Sequence, residues 1–219
     1  MFNELQLAQL LCTRLCHDLA GPVGAISAGV ELMRTDPELI DDETMSLLSG
    51  SAEAAGRKLK FLRVAFGWSG GRAINFAELE SILEDYLIAT SAMSGVPRLD
   101  WPQQGSLALL SDKLSDDGVQ VLSNIALLGL ECVPSCQSLS ISVESNSNGL
   151  EVVANNRTVE GRTSKLREDT AAAIGNPDDV AMNVQNIQAH LTRRLVSLSG
   201  GKISINGDTA GAVITVNWP

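Results

Sequence analysis

His17 stands directly before Asp18 and five residues before Pro22 in the window RLCHDLAGPVGAI, residues 14–26. An ordinary histidine titrates near 6.5, so at about pH 7.5 most of its imidazole is neutral and one ring nitrogen is a nucleophile. A neighbouring carboxylate that accepts a hydrogen bond from the other ring nitrogen selects the tautomer that leaves the nucleophile free. Asp18 is placed to be that carboxylate. Nucleophilic chemistry needs the ring in reach of a substrate, and periodicity predicts that it is. At about 100° per residue, Ala8, Cys12, Leu15, Leu19, Val23, Ile26, Val30 and Met33 share one narrow stripe of a helix, and His17 falls roughly 165° away. The imidazole is presented outward.

The elements that must position this pair follow from the same pattern. A first helix is predicted from about Asn3 to Arg34, ended by TDPELIDDET, a segment rich in helix stoppers and N-caps. A second helix runs to about Gly67 with Met45, Leu48, Ala52, Ala55, Leu59, Leu62 and Phe66 in alternating steps of three and four, a coiled-coil seam. Two antiparallel helices with such narrow stripes leave them incompletely buried, and a dimer making a four-helix bundle would complete the burial. Trp68 to Arg72 (WSGGR) reads as a linker. Beyond it, residues 76–90, 113–131 and 180–199 read as helices, the last stopped by Gly200 and Gly201. Residues 138–144 and 150–155 alternate as strands across the turn SNSNG, and KISIN with AVITVNW forms a closing hairpin. The chain is therefore expected to be α+β: a helical hairpin over 1–70, then over 71–219 helices layered on one face of a mainly antiparallel sheet.

Composition narrows the partners. In 219 residues, 26 acids against 16 bases give a net charge of −10, and no long Lys/Arg run exists, which argues against a nucleic-acid surface. No basic n-region followed by an apolar run opens the chain, and no 18-residue apolar span occurs, so no membrane insertion and a soluble, cytoplasmic protein are expected. The four cysteines, Cys12, Cys16, Cys132 and Cys136, are expected to be reduced and to pack as small hydrophobes rather than bind metal. GxGxxG, P-loop and Ser/His/Asp signatures are absent.

HDLAGP resembles the H-box of two-component histidine kinases, in which the phosphorylated histidine precedes an acid, an aliphatic residue and, five positions on, a proline. The second half resembles the ATP-binding domain of those kinases, a Bergerat-like α/β sandwich, down to its closing RRLVSLSGGKISINGDTAGAVITVNWP. Its nucleotide contacts do not match. Asn124 fits the first of two metal-holding asparagines, but the second position is Leu128. The strand ending near 155 leads into Asn-Asn-Arg-Thr-Val rather than an adenine-reading Asp-x-Gly-x-Gly. The phosphate-cradling glycines of the late helix are replaced by AMNVQNIQAHLTRR. A degenerate domain that does not bind ATP is expected.

As a whole the chain resembles the alphaproteobacterial ChpT-like histidine phosphotransferases. The resemblance implies that His17 accepts phosphate from the receiver domain of a hybrid kinase (CckA-like) and passes it to response regulators (CtrA-like, CpdR-like), within a homodimer. It implies no cofactor or metal held by this chain, magnesium being brought by the receiver. The competing functions are an ATP-dependent kinase, against which the three altered boxes argue, and a dimeric adaptor that takes up no phosphate.

Several side chains have two readings. Pro22 removes an amide hydrogen, so the Asp18 carbonyl loses its helical partner and a bend is expected there. Thr13, Ala20, Gly21, Gly24 and Ala28 leave a low surface around His17, either for close approach of a receiver or for tight packing in the bundle. Phe61, in line with Leu47, Ala54 and Ala65, is level with His17 in an antiparallel hairpin and is either a second core contact or a docking residue. Arg14, Arg57, Lys58 and Lys60 are steering residues for an acidic receiver face, or solvated charges. Arg157, Arg162, Lys165 and Arg167 form the densest basic patch, a receiver contact or a solvated loop. His190 lacks H-box spacing and is expected to be an exposed or capping histidine.

Overall fold

The computed structural model describes residues 4–36, 41–67, 74–91, 95–103, 106–107, 117–143, 149–156 and 166–219. Helix α1 (Glu4–Thr35) runs unbroken through Pro22, and α2 (Asp42–Phe66) returns beside it. Asp41 starts α2 by accepting from the Thr44 amide at 2.8 Å, as the cap-rich turn predicts. The two helices come close where Gly29 faces Leu48: a Cβ at Gly29 would overlap the Leu48 side chain. Elsewhere the seam is only half covered. Val23 and Val30 on α1 and Met45 and Leu59 on α2 each leave about half their surface in solvent.

Helix α3 (Phe76–Thr90) is opened by a capping box, Asn75 accepting from the Glu78 amide while the Glu78 carboxylate accepts from the Asn75 amide. There follow β1 (Arg98–Asp100), α4 (Gly118–Cys132), β2 (Cys136–Val143), β3 (Gly149–Asn156), α5 (Glu168–Gly175), α6 (Ile187–Leu198), β4 (Lys202–Gly207) and β5 (Gly211–Asn217). The sheet order is β1-β2-β3-β5-β4, with β1 parallel to β2 and every other pairing antiparallel. Alternation along the strands buries Leu139, Ile141, Leu150, Val152, Ala154, Ala212, Ile214 and Val216 on one face. Helix α4 lies on that face closely enough that a Cβ on Gly129 would sit 3.3 Å from Leu139. Gly200, at φ +78°, and Gly201 end α6 as expected, the Gly201 amide reaching the Val196 carbonyl at 2.8 Å.

Helix α5, strand β1 and the start of the late helix differ from the sequence reading. Helix α5 and the short parallel strand β1 fall in stretches whose polar or brief patterns carry no period. The late helix begins at Ile187 rather than 180, because Pro177–Asp179 forms a 3-10 turn and the asparagines that follow bond to one another. The expected domain boundary lies in 68–73, outside the described residues. The core itself is continuous across it, since Phe61, Leu62 and Ala65 of α2 join the cluster that holds α3, α4 and the sheet.

Candidate active site

His17 stands on α1 with 84% of its side chain exposed, as its helical phase predicts. Its Nδ1 lies 3.4 Å from Asp18 Oδ1, a long contact in which Nδ1–H is the donor in the tautomer that leaves Nε2 bare. Gly21 and Gly24, one and two turns further on, have nothing within 4 Å of where a Cβ would stand. Among the described residues, their smallness therefore answers no packing need. Thr13 and Ala20 are exposed beside them, and Thr13 spends its hydroxyl on the Gln9 carbonyl.

Beneath this surface runs an ionic link to the second half of the chain. Asp18 Oδ2 is 3.5 Å from Arg14 Nε, and Arg14 Nη2 meets Glu131 Oε1 at the end of α4. Arg14 is 9% exposed, and burial pulls the affinity of its guanidinium for its proton downward against the opposing pull of Asp18. Tyr86 of α3 closes the site from below, its hydroxyl pushed up to about 12 by burial and so un-ionised. These groups border an open cleft of about 280 Å³ between α1, α2, α3 and the end of α4, lined also by Lys58, Thr90 and Ser91.

Two expected receiver contacts are corrected here. Arg14 is not a steering charge on the surface: it is buried and committed to Asp18 and Glu131. Phe61 is not a docking residue: it is 0% exposed and stacks on Tyr86, ring centroids 4.3 Å apart. A bundle helix has more than one neighbour, and the stripe outside the seam is buried only at its end near α3, at Phe61 and Ala65, while Leu47 stays 67% exposed. Arg57 and Lys60 both reach towards Asp85 of α3, at 3.9 Å and 3.8 Å, which ties α2 to α3. Glu131 and Tyr86 escaped the sequence reading. Glu131 does leave a trace, as the one charged residue in the otherwise uncharged α4.

Other expectations divide. Cys132 and Cys136 are buried, the Cys132 thiol pushed up to about 12 by desolvation. Cys12 and Cys16 are exposed instead, because α2 and α3 leave that side of α1 uncovered. His190 is buried, not exposed or capping: it is 3% exposed and neither ring nitrogen has a hydrogen-bond partner among the described residues. Arg167 pairs with Asp169 and Gln185, while Arg157, Arg162 and Lys165 lie outside the described residues. Among the described residues no group of three or more His, Cys, Asp or Glu is placed to hold a metal, and no helix is long and apolar enough to cross a membrane.

The residues that the sequence reading sets against a kinase's nucleotide contacts bond within the protein. Asn124 donates to the Ala65 carbonyl at 2.7 Å and the Gln120 carbonyl at 2.8 Å, and accepts from Gln188 at 2.9 Å. Leu128, at the second asparagine position, is fully buried. At the entry to α6, Asn183 accepts from the amides of Gln185 and Asn186, and Asn186 accepts from that of Asn183. Backbone donors that glycines would leave open to phosphate are thus consumed internally.

Comparison with known proteins agrees with this architecture. The chain is 30% identical to the protein phosphotransferase ChpT of Brucella abortus (strain 2308), over 97% of this chain and 96% of that one. It shares its fold with a solved bacterial phosphotransferase at a TM-score of 0.74 and 22% identity, covering 99% and 98% of the two chains. Residues 76–211 match the family described as histidine phosphotransferase C-terminal domain. With the outward histidine on its helical hairpin and the α+β domain behind it, the chain belongs to the histidine phosphotransferase family.

Proposed function

We propose that this chain carries phosphate between receiver domains on His17, through a phosphohistidine, without using ATP. The observation that carries the reading is the exposed His17 ring with its Nδ1 turned to Asp18. With the Nδ1 proton shared with that carboxylate, the Nε2 lone pair attacks phosphorus of an aspartyl phosphate. The P–N bond forms as the P–O bond breaks, and the receiver's carboxylate leaves. Asp18 offsets the positive charge that the ring gains. Transfer onward is the same displacement in reverse, on the aspartate of a response regulator. Both phosphorylated species are reactive, so the protein's task is chiefly to align donor and acceptor. Gly21 and Gly24 give a receiver room to approach.

Independence from ATP is supported by the internal commitment of Asn124 and of the amides before α6. The magnesium of the reaction arrives with the receiver. Half-exposed Val23, Val30, Met45 and Leu59 support a homodimer in which two hairpins complete one bundle. The relay is a cytoplasmic one, fed by a CckA-like receiver and discharging to CtrA-like and CpdR-like regulators.

The test is a labelling experiment with wild type and His17→Ala. Label from a prephosphorylated receiver, absent in His17→Ala and absent with labelled ATP alone, is expected. Label from ATP alone makes the chain a kinase, and no label from either source makes it an adaptor.

A further inference from the structure

We infer that Glu131 and Arg14 are positioning residues for phosphotransfer, through which the second domain fixes the carboxylate that orients His17. The inference rests on the phosphohistidine reading above and adds residues that the H-box does not contain.

Consecutive residues on a helix do not face one another, so Asp18 has no inherent reason to hold its carboxylate at the His17 ring. The restraint comes from below. Asp18 places one oxygen 3.4 Å from His17 Nδ1 and the other 3.5 Å from Arg14 Nε, one turn earlier on α1. Arg14 is held in turn by Glu131 from α4 and by burial beside Tyr86. Arg14 Nε has no hydrogen-bond partner among the described residues, and its 3.5 Å approach to Asp18 is an ion pair. Because the guanidinium is planar and rigid, anchoring its Nη2 end on Glu131 fixes where that positive edge lies and so draws the Asp18 carboxylate towards it. Lysine would give a point charge without that directionality. Stability is a poor reason for such a group, since a guanidinium taken out of water with two carboxylates gains little over an apolar packing of the same volume. A defined direction for the Asp18 carboxylate is what the arrangement provides. The second domain, having lost its nucleotide contacts, thereby keeps a part in the reaction without touching substrate.

The test is the single-turnover transfer rate from a prephosphorylated receiver to the full chain, measured against receiver concentration. Glu131→Gln, Asp18→Asn and the double variant are compared with wild type. Glu131→Gln is expected to slow the saturating rate about tenfold, the scale of a small misplacement at a reacting centre, with the half-saturating receiver concentration unchanged. In the Asp18→Asn background the same change is expected to cost less than about twofold, because the group it positions is gone. Equal slowing in both backgrounds, an unchanged rate, or a change confined to half-saturation overturns the inference. An unchanged rate in Asp18→Asn also overturns it, whereas label persisting in His17→Ala overturns the phosphohistidine reading instead. Circular dichroism checks folding. If Glu131→Gln does not fold, Arg14→Gln is put through the same cycle, and loss of fold in both reduces the link to a structural fastening and overturns the positioning role.

Discussion

Gln188 of α6 donates its side-chain amide to both oxygens of Asn124, the side-chain one at 2.9 Å and the main-chain one at 3.2 Å. Asn124 hands its own amide on to the carbonyl of Ala65 in α2. A position that in the resembling kinases faces metal and phosphate here holds three helices together. Mg-ATP at 1 mM is therefore expected to leave the unfolding temperature unchanged. Were the site to bind with a dissociation constant of about 10 µM, linkage would stabilise the fold by about 2.7 kcal/mol, an easily read shift. Asn124→Ala, in contrast, is expected to lower the unfolding temperature by several degrees, since it removes the donor to the Ala65 carbonyl on α2 and one of the acceptors of Gln188, a loss of roughly 1–3 kcal/mol.

Phe61→Ala removes a fully buried ring stacked on Tyr86. Truncating a buried Phe costs about 3–5 kcal/mol, which for a chain of this size lowers the unfolding temperature by roughly 10 °C. Receiver affinity of the folded variant is expected to stay within about twofold of wild type, because the side chain meets no solvent. A stable variant with weakened receiver binding returns Phe61 to the docking surface.

What was legible in the chain was what local period carries. The two long helices, the antiparallel strands and the outward phase of His17 all follow from residues a few positions apart. Contacts across long sequence separations were not legible: nothing near residue 14 announces that its guanidinium is buried against residue 131, and nothing near residue 61 says whether α3 or a partner covers it. The late helix starts only at Ile187 because the side chains of Asn183 and Asn186 bond to each other's backbone amides and compete with helix formation, which composition does not show.

The half-open seam makes its own prediction. Val30→Glu puts a carboxylate where one chain is half exposed but a second hairpin would bury it. Sedimentation is expected to give twice the 23.2 kDa chain mass for wild type and that mass alone for the variant. Single-chain mass for wild type at micromolar concentration removes the dimer.

His190 gives the chain a pH dependence of a definite sign. Its ring is buried, neither nitrogen has a partner among the described residues, and desolvation, with Arg193 adding to it, holds its pKa below the ordinary 6.5. In the fold the ring is neutral, while in the unfolded chain it takes up a proton near 6.5. As pH falls below about 6.5 the unfolded state therefore binds more protons than the folded one, and stability drops until the folded pKa is passed. Above 6.5 the contribution is constant. Asp41, Asp100 and Asp169, whose hydrogen bonds hold their carboxyls below 3.8, give up stability only at lower pH, so the two losses are separate in a titration. Thermal unfolding of wild type is expected to weaken between pH 7.5 and 5, and His190→Leu, which keeps an apolar side chain in the site without a titrating group, is expected to lose most of that dependence. Parallel curves for the two proteins assign the loss to other groups.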